Sequence, residues 1–409
     1  MFRTLVFLLW LCSTQAHAHE LRIITSFPPS VSDAYVALWK SQNPETDVLV
    51  LNKNTVAAID EIARGNGRGF DVFMASSPEA FELLSENGSF ISAPSCGLES
   101  EDAVKPFALS SVGWTRRKES AVFMPGTWND LLKPLYRGKI AMARPARSGS
   151  SHLMVEQLLQ IRGWEDGWTY LLSLAGNLST LTARSFAVPN GLIQGRFDIG
   201  LTIDFLAQSK SKQLDFRYGR PIMLTAARVG LLTGGFAQDH ACAFLRLVLS
   251  EIGQRLLLTP EISRIPISPK VRESADSVPT DVIDALRLEW ILYDARLSAH
   301  RYWAVNALFD VMITETLAQR KSLWARLDQL RGVADPTQLE EIRSLLTKPV
   351  ASEVEITTLS EAISSGLRTT RLTGISDEKR NAMDTWRAAT AAQLQTVEKQ
   401  ILFLEKNLP

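Results

Sequence analysis

Four short segments of the 409-residue chain share one composition and one kind of position. Thr25-Ser26, Asn54-Thr55, Ser76-Ser77 and Ser148-Gly149-Ser150-Ser151 each follow a short apolar run with strand character and lead into a segment with helical spacing. Small hydroxyl and amide side chains have two uses there. They cap the first turn of a helix. They also add donors where the unpaired N–H groups of that turn already present roughly half a positive charge. An anion with many acceptor oxygens, phosphate above all, suits such a place. Capping alone accounts for any one of these segments, but four at the same topological position point to a shared anion site. Its candidate residues are Ser26, Thr55, Ser76, Ser77, Ser148, Gly149, Ser150 and Ser151, with Gly149 allowing close approach of backbone to ligand.

Further polar residues lie beside this set. Arg147 offers a bidentate contact to phosphate or carboxylate. Arg144 and Arg184 are close in sequence to the same segments, and Arg144 reads equally well as a surface arginine. Asn190 sits in an Asn190-Gly191 turn that opens another helix. Thr202 and Asp204 end a strand, where they can bond ligand hydroxyls, although an N-cap explains Asp204 as well. His152 is either a ligand contact or a solvated or capping side chain.

Catalytic chemistry finds little support. The chain has no G-x-S-x-G, no H-E-x-x-H and no P-loop, and two of its five histidines, His17 and His19, lie at the extreme N-terminus. Gly65-Asn66-Gly67-Arg68-Gly69 follows a helical segment instead of opening one, so it reads as a turn. Nothing calls for a metal or a cofactor. A binder is therefore expected and not an enzyme, with an exported phosphatase as the weakest reading. Lys+Arg and Asp+Glu both number 44, which argues against a general nucleic-acid binder but leaves room for a local basic pocket.

The elements that must hold these residues follow from the periodicity. Strand runs are expected at 21–25, 47–51, 70–74, 139–142, 198–202 and 221–224, with an extended segment at 105–116. Helical segments separate them, which implies α/β architecture with parallel-type sheets. From about residue 276 strand signals fade, and Val282, Leu286, Trp290, Tyr293, Leu297, Leu308 and Val311 recur at helical spacing. A C-terminal all-α extension is expected there. Trp290, Trp303, Trp324 and Trp386 belong either to its own core or to a partner interface. At the other end, Arg3, the apolar run 5–11 and Ala16-His17-Ala18 have the form of a leader peptide cleaved after Ala18, with no membrane insertion afterwards. Cys96 and Cys242 would then share an oxidising compartment, either bridged or as two free thiols.

The segments ITSFPPS (24–30), NKNTVAAIDEIARG (52–65), DVFMASSPEAFELL (71–84), the stretch 143–177, GRFDIGLTID (195–204) and 243–266 together resemble the periplasmic solute-binding proteins of ABC importers. The similarity is to the subgroup that includes ferric-iron and sugar-phosphate binders. It implies a two-lobed, Venus-flytrap fold of type II-like form, with a ligand between the lobes and hinge crossings near 106–114 and 216–224. The expected division is leader 1–18, lobe one 19–110, lobe two 111–220, a return to lobe one over 221–275, and the helical extension 276–409. Ferric binders use a tandem tyrosine pair after the strand matching 199–202. Here Thr202-Ile203-Asp204-Phe205 stands there and the chain has no adjacent tyrosines, so an organic anion is favoured over iron. A binding core followed by a helical tail is similar to the phosphoglycerate transport regulators of enteric bacteria. That likeness implies a ligand of the phosphoglycerate or phosphoenolpyruvate class and a membrane sensor kinase as partner. The alternative is the substrate-binding component of an ABC importer, partnered by a permease, for a sugar phosphate, phosphonate or other anion.

Overall fold

The computed structural model describes residues 20–91, 96–98, 102–287, 293–364 and 374–407. The leader, its cleavage point after Ala18, and Trp290 lie outside the described residues.

Two sheets organise the first two-thirds of the chain. The first contains β1 (Leu21–Thr25), β2 (Val48–Asn52), β3 (Val72–Ala75), β4 (Val104–Ser110), β10 (Thr225–Leu231) and β11 (Ile265–Pro266), in the order β11-β4-β10-β3-β1-β2. β1 runs parallel to both β2 and β3, whereas β10 is antiparallel to β3 and β4. The second sheet holds β5 (Val112–Arg117), β6 (Ile140–Ala143), β7 (Leu178–Thr182), β8 (Ile199–Ile203) and β9 (Leu214–Tyr218), in the order β7-β6-β8-β5-β9. Only Ser111 separates β4 in one sheet from β5 in the other, and the chain crosses back between β9 and β10. Each sheet with its helices forms one lobe. A strand was expected at 221–224, but the strand begins at Thr225. Pro221 has no N–H to give a ladder, and the buried Ile222 and Met223 belong to the connection.

Helices α1 (Pro29–Gln42), α2 (Thr55–Ala63) and α3 (Pro78–Glu86) follow β1, β2 and β3 in lobe one. Lobe two carries α4 (Gly149–Arg162), α5 (Trp164–Ala175), α6 (Ala187–Ile193) and α7 (Asp204–Gln208). The return to lobe one adds α8 (Gln238–Leu249), α9 (Glu251–Leu256) and α10 (Pro269–Glu273). Trp39, Tyr35, Phe107 and Phe244 pack edge to face under the first sheet, and a disulfide between Cys96 and Cys242 closes that side of the core. A separate core beneath the second sheet is built around Trp114, Trp128, Trp164 and Trp168.

The C-terminal extension consists of α11 (Thr280–Arg287), α12 (Ala295–His300), α13 (Tyr302–Phe309), α14 (Leu317–Gln329), α15 (Pro336–Thr347), α16 (Glu353–Ser364) and the 30-residue α17 (Asp377–Lys406). It does not stand apart. Val305, Leu308, Phe309, Met312, Ile313, Ile356 and Trp386 are part of the lobe-two core. Ala299 and Tyr302 instead enter the core of lobe one, against the helix that follows β3. The tail thus packs on both lobes. Trp324 and Trp386 are buried, and Trp324 Nε1 donates to the Leu172 carbonyl at 3.3 Å. Trp303 and Trp386 lie with ring centroids 6.1 Å apart, between the tail and the lobes. These tryptophans therefore serve packing, but the packing is against the lobes as much as within the extension.

Candidate functional site

The loops after β1, β2 and β3 and the loop after β6 meet across a narrow cleft. Lobe one contributes Ser26, Phe27, Pro28, Asn54, Thr55, Ser76 and Ser77. Lobe two contributes Arg147, Ser148, Gly149, Ser150, Arg184, Ser185, Phe186, Ile203, Phe205 and Leu206. The position at the carboxyl ends of parallel strands is where open α/β sheets leave a crevice.

The local grammar differs from loop to loop. Asn54 Oδ1 accepts from the Ala57 N–H at 2.9 Å and Ser148 Oγ accepts from the Ser151 N–H at 3.3 Å, so these two side chains cap their helices. Ser77 occupies the cap position of α3, but its hydroxyl donates to Glu79 Oε2 at 2.7 Å. The first loop does not open its helix directly, because α1 starts at Pro29 with Pro28 as cap. There Thr25 Oγ1 donates to the Met74 carbonyl and accepts from the Phe27 N–H, which fixes the turn that presents Ser26. The lobes are nearly in contact at Gly149. A Cβ on it would lie 2.7 Å from Ser77 Cβ and 2.9 Å from Thr55 Oγ1, both across the cleft.

The electrostatics are one-sided. Arg147 has no carboxylate partner among the described residues. Arg184 donates to Asn52 Oδ1 of lobe one at 3.0 Å and stacks over Phe186. Burial lowers the Arg184 pKa, and repulsion from Arg147 lowers it further. Two guanidinium groups that repel each other thus line the cleft beside the N-terminus of α4, and no acidic residue is among the described lining residues, an arrangement that an oxyanion relieves.

Several sequence-derived candidates lie elsewhere. Ser151 is buried behind Ser148 in the first turn of α4, and Asn190 is on the exposed side of α6; neither lines the cleft. Thr202 is buried on β8, opposite Gly113 of β5. Asp204 is buried below the cleft: its carboxylate accepts from the Ser111 N–H at 3.0 Å, the Phe205 N–H at 2.7 Å and the Tyr218 hydroxyl at 3.3 Å. Burial pushes its pKa up to about 6 despite those bonds. Asp204 therefore ties α7 to both chain crossings and does not reach the ligand space. Arg144 is held by Asp310 of the tail through two bonds of 2.6 and 2.7 Å. His152 is fully enclosed, bonded to Ser298 Oγ and Asn306 Oδ1 at 3.0 Å each.

Sequence reading missed the aromatic lining of Phe27, Phe186 and Phe205, for which no local signal existed. It also missed Arg264, which is 2% exposed and donates to Ser76 Oγ at 2.7 Å. Behind the cleft, Glu79 accepts from Ser77, from Ser298 Oγ at 3.1 Å, and from the Tyr293 hydroxyl. Ser298 also bonds His152 of lobe two, so a continuous polar chain runs from the cleft wall through the tail to the other lobe.

Comparison with known proteins agrees with this architecture. The chain is 30% identical over 349 residues to the phosphoglycerate transport regulatory protein PgtC of Salmonella typhimurium strain LT2, covering 82% of this chain and 87% of that protein. Among solved structures it is similar to the periplasmic binding protein AfuA from Actinobacillus pleuropneumoniae with fructose-6-phosphate bound. That match has a TM-score of 0.62 and 17% identity, over 72% of this chain and 98% of the other. The apo ferric ion-binding protein A of Pasteurella haemolytica matches with a TM-score of 0.56 and 13% identity, over 71% of this chain and 96% of the other. At those identities the two structures establish a common two-lobed fold. No helix among the described residues is long and apolar enough to cross a membrane. The model of the bacterial extracellular solute-binding proteins matches residues 27–258, and the chain belongs to that family.

Proposed function

We propose that this chain captures a small phosphorylated anion of the phosphoglycerate or phosphoenolpyruvate class between its lobes in the periplasm, and relays occupancy to a membrane sensor kinase. The observation that carries the ligand assignment is the pair Arg147 and Arg184, which repel each other in a cleft whose described lining holds no acidic residue. Phosphate would accept from these two, from the amides of Gly149 and Ser150, and from the hydroxyls of Ser26, Thr55, Ser148 and Ser150, while Ser77, whose proton goes to Glu79, shapes the wall. The name of the Salmonella relative supports the phosphoglycerate class. The disulfide between Cys96 and Cys242 is in keeping with an oxidising compartment reached through the leader. Addition of 3-phosphoglycerate is expected to raise the melting temperature of the mature chain, whereas unphosphorylated glycerate is not.

The relay rests on the tail. Ser298 joins Glu79 of lobe one to His152 of lobe two, and Glu79 holds the cleft residue Ser77. Opening or closing the cleft must therefore load this bridge, so that occupancy and tail position are linked. Amide exchange across α12 and α13, measured with and without 3-phosphoglycerate, tests it. Slower exchange on binding is expected, and unchanged exchange in a sample that binds would rule the relay out.

A further inference from the structure

We propose that Arg264 recognises a second anionic group of the ligand, a carboxylate, and so selects phosphorylated carboxylic acids over simple phosphate esters. The proposal rests on the phosphate site of the preceding reading and adds a second subsite to it.

Arg264 enters from the return segment just before β11 and is 2% exposed. Its guanidinium carbon lies over two rings, with the Phe27 centroid of lobe one at 4.3 Å and the Phe205 centroid of lobe two at 3.6 Å. The rings contact the group through its charge, and its hydrogen bonds run from the N–H edge. Along that edge only Nη2 has a partner, Ser76 Oγ at 2.7 Å, whereas Nε and Nη1 have none. No carboxylate among the described residues lies within ion-pair distance of it, although Asp204 is near enough to favour its charge. Burial pulls its pKa down to about 9, so it stays charged at neutral pH. Buried charges in folded proteins are normally paired and buried donors bonded. A buried cation with two idle donors is thus an unfinished site.

Arg264 stands just behind the lining of the cleft, and the cleft is the side from which a ligand group would reach it. Ser76, Phe27 and Phe205, the three side chains that enclose the guanidinium, all line the cleft as well. A planar carboxylate matches one fork of the guanidinium, Nε with Nη2 or Nη1 with Nη2, through the Nη2 proton that Ser76 leaves free. Phe205 belongs to lobe two and Arg264 to lobe one, so the stack forms only when the lobes meet, and the subsite becomes dry on closure. The other anionic end of the ligand sits against Arg147 and Arg184 on the opposite wall.

Calorimetric titration of the mature protein with 3-phosphoglycerate, which has both groups, and with glycerol 3-phosphate, which lacks the carboxylate, separates the possibilities. The unsubstituted protein is expected to favour 3-phosphoglycerate by at least about tenfold. Arg264→Met is expected to weaken 3-phosphoglycerate by roughly 10- to 100-fold, the usual effect of losing a charged hydrogen-bond partner, and to leave glycerol 3-phosphate within about twofold. Arg264→Lys, which keeps the charge but not the fork, should fall between; it decides the matter if the methionine variant does not fold. Equal weakening of both ligands in the variants, or no preference in the unsubstituted protein, overturns the carboxylate subsite. Failure of both ligands to bind the unsubstituted protein would instead remove the phosphate site on which it rests.

Discussion

Gly149→Ala is expected to weaken ligand binding by roughly 5- to 150-fold while leaving the unliganded protein as stable as before. Gly149 is the first residue of α4, and alanine there is compatible with the helix itself. The obstacle lies on the other lobe. The added methyl would be 2.7 Å from Ser77 Cβ and 2.9 Å from Thr55 Oγ1. Ser77 Cβ is set by the backbone at a helix start and cannot swing aside as the end of a long side chain would, so rotation of Thr55 alone does not clear the contact. The lobes must part to make room, and overpacking of this kind costs about 1–3 kcal/mol. That cost falls on the closed form only. Since the ligand is held by both lobes, it reappears in full as lost affinity, about tenfold for each 1.4 kcal/mol. Calorimetry with 3-phosphoglycerate, together with a melting curve of the free protein, checks both halves. An alanine variant that binds as tightly as the parent would show that the contact between Gly149 and lobe one is not part of the bound state.

Arg301→Met is expected to lower stability by about 3–5 kcal/mol, the usual consequence of removing one partner of a buried ion pair. Arg301 is 2% exposed and Glu156 is fully buried, and they share bonds of 3.0 and 2.9 Å; a further bond of 2.6 Å joins Arg301 to Glu353. Burial works against the charge of Arg301, but Glu156 and Glu353 outweigh it and raise its pKa. Without the guanidinium, Glu156 is a carboxylate in an apolar interior between α4 and the tail. Replacing both residues, as in Arg301→Met with Glu156→Leu, should recover most of the loss, because the cost lies in the orphaned charge and not in the absence of the pair. Urea unfolding of the two variants measures this. A loss below about 1 kcal/mol for the single variant would mean that the pair is hydrated and that the tail is not docked by it.

Much of the site was legible because its grammar is local. Residues such as Asn54, Ser77 and Ser148 announce themselves through capping position, Pro78 and the strand that precedes each of them, all within a few residues. The same locality explains the errors. Thr202 and Asp204 have the right types at the end of a strand, but Asp204 turns to the Ser111 amide and the Tyr218 hydroxyl at the two crossings. Nothing within the segment specifies those partners. Arg264 is 188 residues from the serine it bonds, and Arg184 is 132 residues from Asn52, so their places depend on the closed fold alone. The helical character of the extension was readable from period, whereas its docking on both lobes was not. Arg301, in the turn between α12 and α13, and Glu156 of α4 carry no special signal until the tail is laid against lobe two. The lesson for the tail tryptophans is similar: periodicity gave burial, but not against what.

The central claim is that the cleft closes on a phosphorylated acid. It is tested most directly by the melting temperature of the mature chain in the presence of 3-phosphoglycerate, phosphoenolpyruvate, glycerate and ferric citrate in turn. A ligand at a hundred times its dissociation constant stabilises the native state by about 2.7 kcal/mol, which for a chain of this length is a rise of about 3 °C. A rise of that order with the two phosphorylated acids and none with glycerate or ferric citrate is the predicted result. No rise with either phosphorylated acid, alongside a rise with ferric citrate or glycerate, would contradict the account.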